Sequence, residues 1–318
     1  MEPSIKPACP DVIREAADAL KKGQLVILPT ETVYGLGADA RNSDAVARIY
    51  AAKTRPSFNP LIIHVASAEV AARYAVLDET ARTLAAAFWP GPFTLVLPLR
   101  PDSGIAPAVS AGLTTVAVRV PAHPLAHALL EAFDGPVAAP SANRSGRISP
   151  TTAAHAASEL GPQVALIVDG GPCEEGLEST IVAISDGFLD LLRPGSVTPE
   201  ELELVSGLPV RGTGPEAADR PTAPGQLASH YAPRAAVRLE VLVPKDGEVL
   251  LGFGPEAPAA ALNLSPSGDL REAAANLFAM LRTLDDGRAQ VIAVMPIPER
   301  GIGIAINDRL RRAAAPRG

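Results

Sequence analysis

Short, mainly apolar runs alternate with amphipathic stretches over the first two thirds of the chain. Leu25–Leu28, Leu61–Val65, Phe93–Leu97, Pro136–Ala139 and Val164–Val168 are such runs, bounded by turn formers, and predict buried strands. Thr114–Val120 alternates strictly, so Val116, Val118 and Val120 face one way and Thr115, Ala117 and Arg119 the other. Between these runs the spacing turns helical. Val12, Ile13, Ala16 and Leu20 follow a capping Asp11 and stop at Gly23, while Val46, Ile49 and Tyr50 follow Ser43 and stop before Pro56. Further helices are predicted over Ala68–Tyr74, Asp78–Phe88, Pro124–Phe133, Thr151–Leu160 and Pro199–Val205. Thr180–Ile184 and Phe188–Leu192 predict a hairpin closed by Asp186-Gly187. Strands alternating with helices imply an α/β fold, a twisted mixed sheet flanked by helices.

From Pro209 to Pro233 the periodicity vanishes into a segment rich in Pro, Gly, Ala and Thr, which reads as an interdomain linker. It contains Gly225-Gln-Leu-Ala-Ser-His230-Tyr231-Ala-Pro233, an aromatic pair that a simple tether does not need. Val237–Val243, Val249–Phe253 and Val291–Met295 then predict strands, with helices over Leu270–Leu284 and Ile304–Ala314, which together make a smaller Rossmann-like α/β unit. The expected division is a first domain over 1–208, a linker or lid over 209–236 and a small domain over 237–318.

Composition narrows the class. With 318 residues, 47% of them hydrophobic, the chain is globular and has room for two cores. A net charge of -7 disfavours broad electrostatic binding to nucleic acid. Cys9 and Cys173 stand alone, with neither metal-ligand spacing nor a disulfide framework, so a reducing compartment is expected. No apolar run at the first residues reads as a signal peptide, and no run nears the roughly 20 residues that span a bilayer, so the expectation is a cytoplasmic protein.

Three segments carry candidate chemistry. Pro29-Thr-Glu-Thr-Val-Tyr-Gly-Leu-Gly37 leaves a strand and enters a polar loop closed by two glycines. Lys53-Thr-Arg55-Pro56 ends a helix with two cations, and Ser141-Ala-Asn143 follows another strand. Hydroxyls, amides and cations at the ends of strands suit an anionic, polyphosphate-bearing ligand. Each segment also has a plain structural account. Glu31 and Thr32 fit a polar turn, and the helix dipole alone favours Lys53 and Arg55 where they stand, although only five of the 28 basic residues are lysine. Asn59 and His64 flank a strand in which a lone histidine is more often a core residue than a catalyst. Arg119 shares a face with Thr115 and is either solvated or holds a carboxylate. Ser149 is placed to cap the following helix, and Arg144 and Arg147 beside it have no role under capping alone. Glu178-Ser179-Thr180 enters the hairpin and Arg193-Pro-Gly195 leaves it, so both can lie at one end of the sheet. No Walker, G-x-S-x-G, H-E-x-x-H or C-x-x-C pattern is present.

The ordered series P-T-E-T-V-Y-G-L-G, K-x-R-P, N-P-L-I-I-H, F-W-P-G-P-F-T, V-A-V-R-V-P, P-S-A-N, S-T-I-V and R-P-G resembles the YrdC-like catalytic domain of the threonylcarbamoyl-AMP synthase family over Val12–Leu208. The H-Y-A-P linker and the ending Gly301-Ile-Gly-Ile-Ala-Ile-Asn307-Asp-Arg309-Leu resemble its long two-domain form. The resemblance implies a nucleotidyltransferase that makes threonylcarbamoyl-AMP and diphosphate from L-threonine, bicarbonate or CO₂, and ATP with Mg²⁺ on its phosphates. The product would feed a threonylcarbamoyl transferase acting on tRNA. Carried over by position, Thr32, His64, Arg119, Ala139 (through its backbone) and Ser179 would bind threonine. Arg55, Asn59, Thr115, Ser141, Asn143, Ser149, Arg193 and Tyr231 would bind ATP, and Lys53 and Arg55 would be catalytic, with no protein-held metal. Family linkers commonly carry methionine where this chain has Gln226. The rivals are an RNA-binding module, disfavoured by the acidic charge, and the carbamoyl-transferring branch of hydrogenase maturation, whose zinc fingers two cysteines cannot build.

Overall fold

The computed structural model describes residues 4–212, 222–226, 229–259, 261–285, 287 and 289–316. Predicted linker residues 213–221 and 227–228 lie outside them.

The first unit runs β1 (Ile5–Pro7), α1 (Pro10–Lys21), β2 (Val26–Leu28), β3 (Gly35–Asp39), α2 (Ser43–Lys53), β4 (Ile62–His64), α3 (Ala68–Ala71), α4 (Glu79–Phe88), β5 (Phe93–Pro98), β6 (Thr115–Arg119) and α5 (Pro124–Phe133). It continues through β7 (Val137–Ala138), α6 (Ala153–Leu160), β8 (Leu166–Asp169), β9 (Thr180–Ser185), β10 (Phe188–Arg193), α7 (Pro199–Ser206) and β11 (Val210–Gly212). Among the described residues these strands form one mixed sheet in the order β1-β8-β2-β3-β7-β4-β6-β5-β9-β10-β11. Its last strand lies beyond Leu208, where the first domain was expected to end. The second unit contains β12 (Ala236–Arg238), β13 (Glu248–Gly252), β14 (Leu262–Asn263), α8 (Leu270–Leu284), β15 (Val291–Val294) and α9 (Gly303–Ala314). Its strands are all parallel, in the order β12-β15-β13-β14, and α8 and α9 pack with them to form its core.

Two helix caps differ from expectation. Cys9 occupies the N-cap of α1 with no side-chain bond, because Pro10 begins the helix and moves Asp11 into its first turn. Thr152, not Ser149, caps α6 by accepting from His155 N–H at 3.2 Å. The segment Gly35–Gly37 is strand rather than loop, since β3 pairs antiparallel with β2 in the register Val26↔Gly37 and Leu28↔Gly35. A Cβ at Gly37 would meet Leu28 at 2.9 Å and Val137 at 3.0 Å, so neighbouring side chains already fill the face this glycine leaves open. Strand patterning failed here because glycine carries no hydrophobic signal.

Register explains where a site can form. Along β2, Ile27 packs into the larger core with α2, α4 and α6, while Val26 and Leu28 pack with α1 and α5. Following pairs across the sheet, the second face continues through Gly35, Ala139, Ile62, Ala117 and Val96. His64 pairs Arg119, and Arg119 pairs Thr94, so all three side chains belong to this face. On this half Ile62, Val96, Ala117, Ile181 and Leu192 form a small apolar cluster with linker residue Ala223. Polar side chains are therefore gathered on the half of a sheet face that the linker crosses.

Candidate active site

The pocket on that face is lined by Thr32, Arg55, His64, Arg119, Ala139, Ser141, Ser179, Arg193 and Tyr231, all predicted site residues. They come from β4, β6, β10, four loops and the linker, so only the sheet's closure brings them together. Thr30, Glu178, Gly225 and His230 also line it, and none of these four had been assigned a role. The pocket encloses about 40 Å³, room for a few waters rather than a nucleotide. Linker residues Pro224, Gly225, His230 and Tyr231 form part of its wall.

Arg119 is 4% exposed and donates from each of its three nitrogens, with N–H groups on Nη1 and Nη2 still to spare. Its Nη2 donates to Glu31 Oε1 at 2.5 Å, Nη1 to Thr32 Oγ1 at 2.8 Å and Nε to the Gly91 carbonyl at 3.1 Å. Burial pushes the Glu31 carboxyl upward, but the Arg119 charge and hydrogen bond outweigh it and hold the pKa below the ordinary value. Beside this pair, burial and then Arg119 push His64 down to about 3, so its ring is neutral at pH 7. His64 Nδ1 has no hydrogen-bond partner among the described residues.

The second cation, Arg55, is aimed by its own loop. Nη2 donates to Asn59 Oδ1 at 2.6 Å and to the Pro60 carbonyl at 2.8 Å, and Nε donates to the Asn59 carbonyl at 3.1 Å. Burial brings its pKa down to about 10. Asn59 is thus behind the pocket wall, supporting Arg55, and is not on it. The third cation, Arg193, donates to the Ser179 carbonyl from Nε at 3.0 Å and from Nη2 at 2.9 Å, and Nη2 also reaches Ser179 Oγ at 3.1 Å. Ser179 Oγ lies 2.7 Å from Thr94 Oγ1, which fixes the hydroxyl between two strands.

Lys53, Thr115, Asn143 and Ser149 are not brought to the pocket wall. Lys53, expected to be catalytic, is 1% exposed and donates from Nζ to the carbonyls of Ser141 and Asn143, both at 2.5 Å. Burial and then Arg55 depress its pKa well below that of an ordinary lysine. It holds the 141–143 loop because α2 ends directly beneath that loop. Asn143 Nδ2 donates to the carbonyls of Arg144 at 2.8 Å and Arg147 at 2.9 Å, which folds the next turn. Ser149 Oγ donates to Glu178 Oε1. Thr115 shares Arg119's face, as alternation predicts, but four residues along β6 put it roughly 13 Å away.

The linker is fixed on the pocket by the second unit. Tyr231 is 1% exposed with a left-handed backbone at φ 62°, a conformation costing a non-glycine residue about 1–2 kcal/mol. Its ring stacks on Phe278 of α8 with centroids 5.6 Å apart, and the Arg309 guanidinium from α9 lies 5.0 Å over it. Gln226 tightens the preceding turn by accepting from the N–H of Thr222 at 2.7 Å and Ala223 at 3.1 Å. Gly225, at φ 90°, allows the close approach of Arg193 and the Tyr231 hydroxyl, either of which a Cβ would strike within 3 Å.

A two-unit α/β chain that closes a linker over three buried arginines, with hydroxyls and a neutral histidine beside them, defines an α/β protein with an enclosed small-molecule site suited to an anionic ligand. The family model for Sua5, YciO and YrdC proteins, described as "Telomere recombination", matches residues 18–195, and the model "Threonylcarbamoyl-AMP synthase, C-terminal domain" matches residues 197–315. The chain is 41% identical to the threonylcarbamoyl-AMP synthase of Bacillus subtilis, covering 96% of this chain and 93% of that one. It is 42% identical to that of Pyrococcus abyssi, covering 96% and 94%. Its structure matches the crystal structure of P. abyssi Sua5 complexed with L-threonine with a TM-score of 0.88 at 39% identity, over 98% and 97% of the two chains. The chain belongs to the threonylcarbamoyl-AMP synthase family, in its two-domain form.

Proposed function

We propose that the chain is an L-threonylcarbamoyladenylate synthase, joining L-threonine, bicarbonate or CO₂ and ATP into threonylcarbamoyl-AMP with release of diphosphate. The observation that carries this is the meeting of Arg119, Thr32, His64 and Ser179 with Arg55, Ser141 and Arg193 in one pocket beneath Tyr231.

Threonine's carboxylate is assigned to Arg119, whose guanidinium is already oriented by Glu31 and Thr32. The hydroxyls of Thr32 and Ser179, neutral His64 and the Ala139 backbone complete the amino-acid end. A ring with a pKa of about 3 is a hydrogen-bonding group here rather than a base. Arg55, Ser141, Arg193 and Tyr231 are assigned to ATP, with Asn59, Thr115, Asn143 and Ser149 supporting that end. The threonine amine adds to CO₂ and loses a proton. A carbamate oxygen then attacks the α-phosphorus, and the bond to the α–β bridging oxygen breaks to release diphosphate. Arg55 and Arg193 offset the charge that grows on that oxygen. Lys53 acts through the 141–143 loop rather than on the phosphates.

Mg²⁺ is assigned to the substrate as the ion that accompanies ATP. The small enclosed volume requires the linker to withdraw for ATP to enter and to return before chemistry, which keeps water from the carbamate and the mixed anhydride. The product then serves a transferase that modifies the adenosine beside the anticodon in tRNA. No helix among the described residues is long and apolar enough to cross a membrane.

The test is incubation of purified protein with ATP, Mg²⁺, bicarbonate and threonine, with diphosphate and the adenylate measured by mass spectrometry. Product that depends on both threonine and bicarbonate is expected. A folded, ATP-binding protein that makes none would overturn the assignment.

A further inference from the structure

Across the 141–149 loop from the catalytic pocket, a crevice of about 560 Å³ opens where α6, the linker and α8 meet. Four arginines line it, Arg144, Arg147, Arg234 and Arg282, against two carboxylates, Glu159 and Asp285. Both carboxylates are already engaged. Asp285 accepts from the backbone N–H of Arg234 at 2.7 and 2.8 Å and of Ala235 at 2.9 Å. Glu159 accepts from Arg282 Nη2 at 3.1 Å and from the Arg144 N–H at 3.3 Å. Arg282 is itself drawn inward, donating to the carbonyls of Ile148 and Ser149.

Arg144 and Arg147 differ from the others. Among the described residues, neither guanidinium has a hydrogen-bond or ion-pair partner. Burial lowers the pKa of Arg282, the Glu159 carboxylate acts against this, and the like charge of Arg147 adds a smaller lowering. Arg144 and Arg147 both reach solvent at the mouth of the crevice, Arg144 exposed and Arg147 half-buried, and are free to take an anion as a charge-assisted partner.

We propose that this crevice is a second binding site, for a small phosphate-bearing anion bridged by Arg144 and Arg147. Guanidinium forks match phosphate oxygens in pairs, and the crevice's volume suits a diphosphate or nucleotide phosphates. A long nucleic acid fits less well, because the arginines are confined to one recess and no aromatic side chain lines it for stacking. The site also has a mechanical consequence. Ala232 N–H donates to the Gly146 carbonyl at 2.8 Å, next to Arg147 and one residue after Tyr231. An anion tying the loop to the linker and α8 therefore favours the closed position of Tyr231. Binding at the crevice is independent of the proposed reaction. Only this effect on the lid rests on it.

The test is titration calorimetry of the full chain with inorganic diphosphate, inorganic phosphate and a non-hydrolysable ATP analogue, comparing wild type with Arg144→Ala/Arg147→Ala. Both side chains lie outside the cores, and thermal unfolding of the double variant checks that it folds. Diphosphate is expected to bind wild type at two sites. The double variant should lose one of them, weakening it tenfold or more, and keep its ATP-analogue affinity within threefold. Arg144→Lys/Arg147→Lys should retain much of the binding. Phosphate acting as well as diphosphate would assign a single phosphate group as the ligand. Unchanged diphosphate binding in the alanine variant would overturn the site. So would unchanged diphosphate binding together with tRNA binding lost in a gel-shift titration of the same variant, which would assign the crevice to RNA.

Discussion

Arg309 of α9 and Glu178 of the loop before β9 meet across the seam between the two units, with Arg309 Nε donating to Glu178 Oε2 at 2.8 Å and the side chains 0% and 7% exposed. Glu178's other oxygen accepts from Ser149, and Arg309 Nη2 donates to the Pro194 carbonyl at 3.0 Å. The small domain thus places a cation directly behind the wall of the candidate pocket, touching the residues that flank Ser179 and Arg193. Burial raises the Glu178 pKa, but Arg309 and then Arg193 more than reverse this and keep it ionised.

Arg309→Met should therefore cost about 3–5 kcal/mol, since it strands a buried carboxylate. Adding Glu178→Gln should recover part of the loss. Urea unfolding of the single and double variants measures both, and a cost below about 1 kcal/mol for Arg309→Met would remove this pair as the tie between the units.

Arg119→Lys keeps a charge near Glu31 but loses the fork that reaches Glu31 and Thr32 together. KM for threonine should rise on the order of 10²-fold, with KM for ATP nearly unchanged. Steady-state kinetics in each substrate decide it, and an equal rise for both substrates would separate Arg119 from threonine.

Lys53 provides the clearest contrast between sequence and structure. Lys53→Met should destabilise the fold by about 1–3 kcal/mol, because the carbonyls of Ser141 and Asn143 lose their shared donor. The ATP KM should rise through displacement of Ser141. Wild-type stability with a kcat collapse alone would instead return Lys53 to direct catalysis.

Stability should fall on the acid side. His64 is held near 3 and His230 well below its usual 6.5, in each case by burial first and neighbouring cations second. From about pH 6.5 down, the unfolded chain binds protons that the native state refuses, so stability declines as pH falls, until His64 titrates in the fold near 3. Glu31 and Glu178, both held below 4.5, act in the same direction at lower pH, losing their contribution as pH falls through their native values. His64→Gln should flatten the upper part of the curve. Unfolding free energies from pH 8 to 4 test this, and a level profile down to 4.5 would contradict it.

Much of the first unit was legible because apolar spacing reports burial directly. The strand pairs around β5, β6, β9 and β10 fell close to their predicted runs, and helices over Pro124–Phe133 and Leu270–Leu284 match residue for residue. The misses have local causes. Gly35–Asp39 lacks hydrophobic alternation yet pairs as a strand, and Val237–Val243 is apolar yet only Ala236–Arg238 finds a partner strand. Ile5–Pro7 joins the sheet's edge through its pairing with β8, which no local pattern announces.

Glu31, Glu178 and Arg309 were visible as residues within the motifs, but their roles were not. An ion pair between positions 88 or 131 residues apart leaves no local trace. Sequence alone determined the elements, the order of the motifs and the family they resemble, because propensity, periodicity and residue chemistry act over short spans. Tertiary structure decided which predicted residues share the pocket, that Lys53 supports a loop instead of lining it, and that the second unit holds Tyr231 over the arginines. Those outcomes depend on register across the sheet and on the docking of two units, which arise from contacts between residues far apart in the chain.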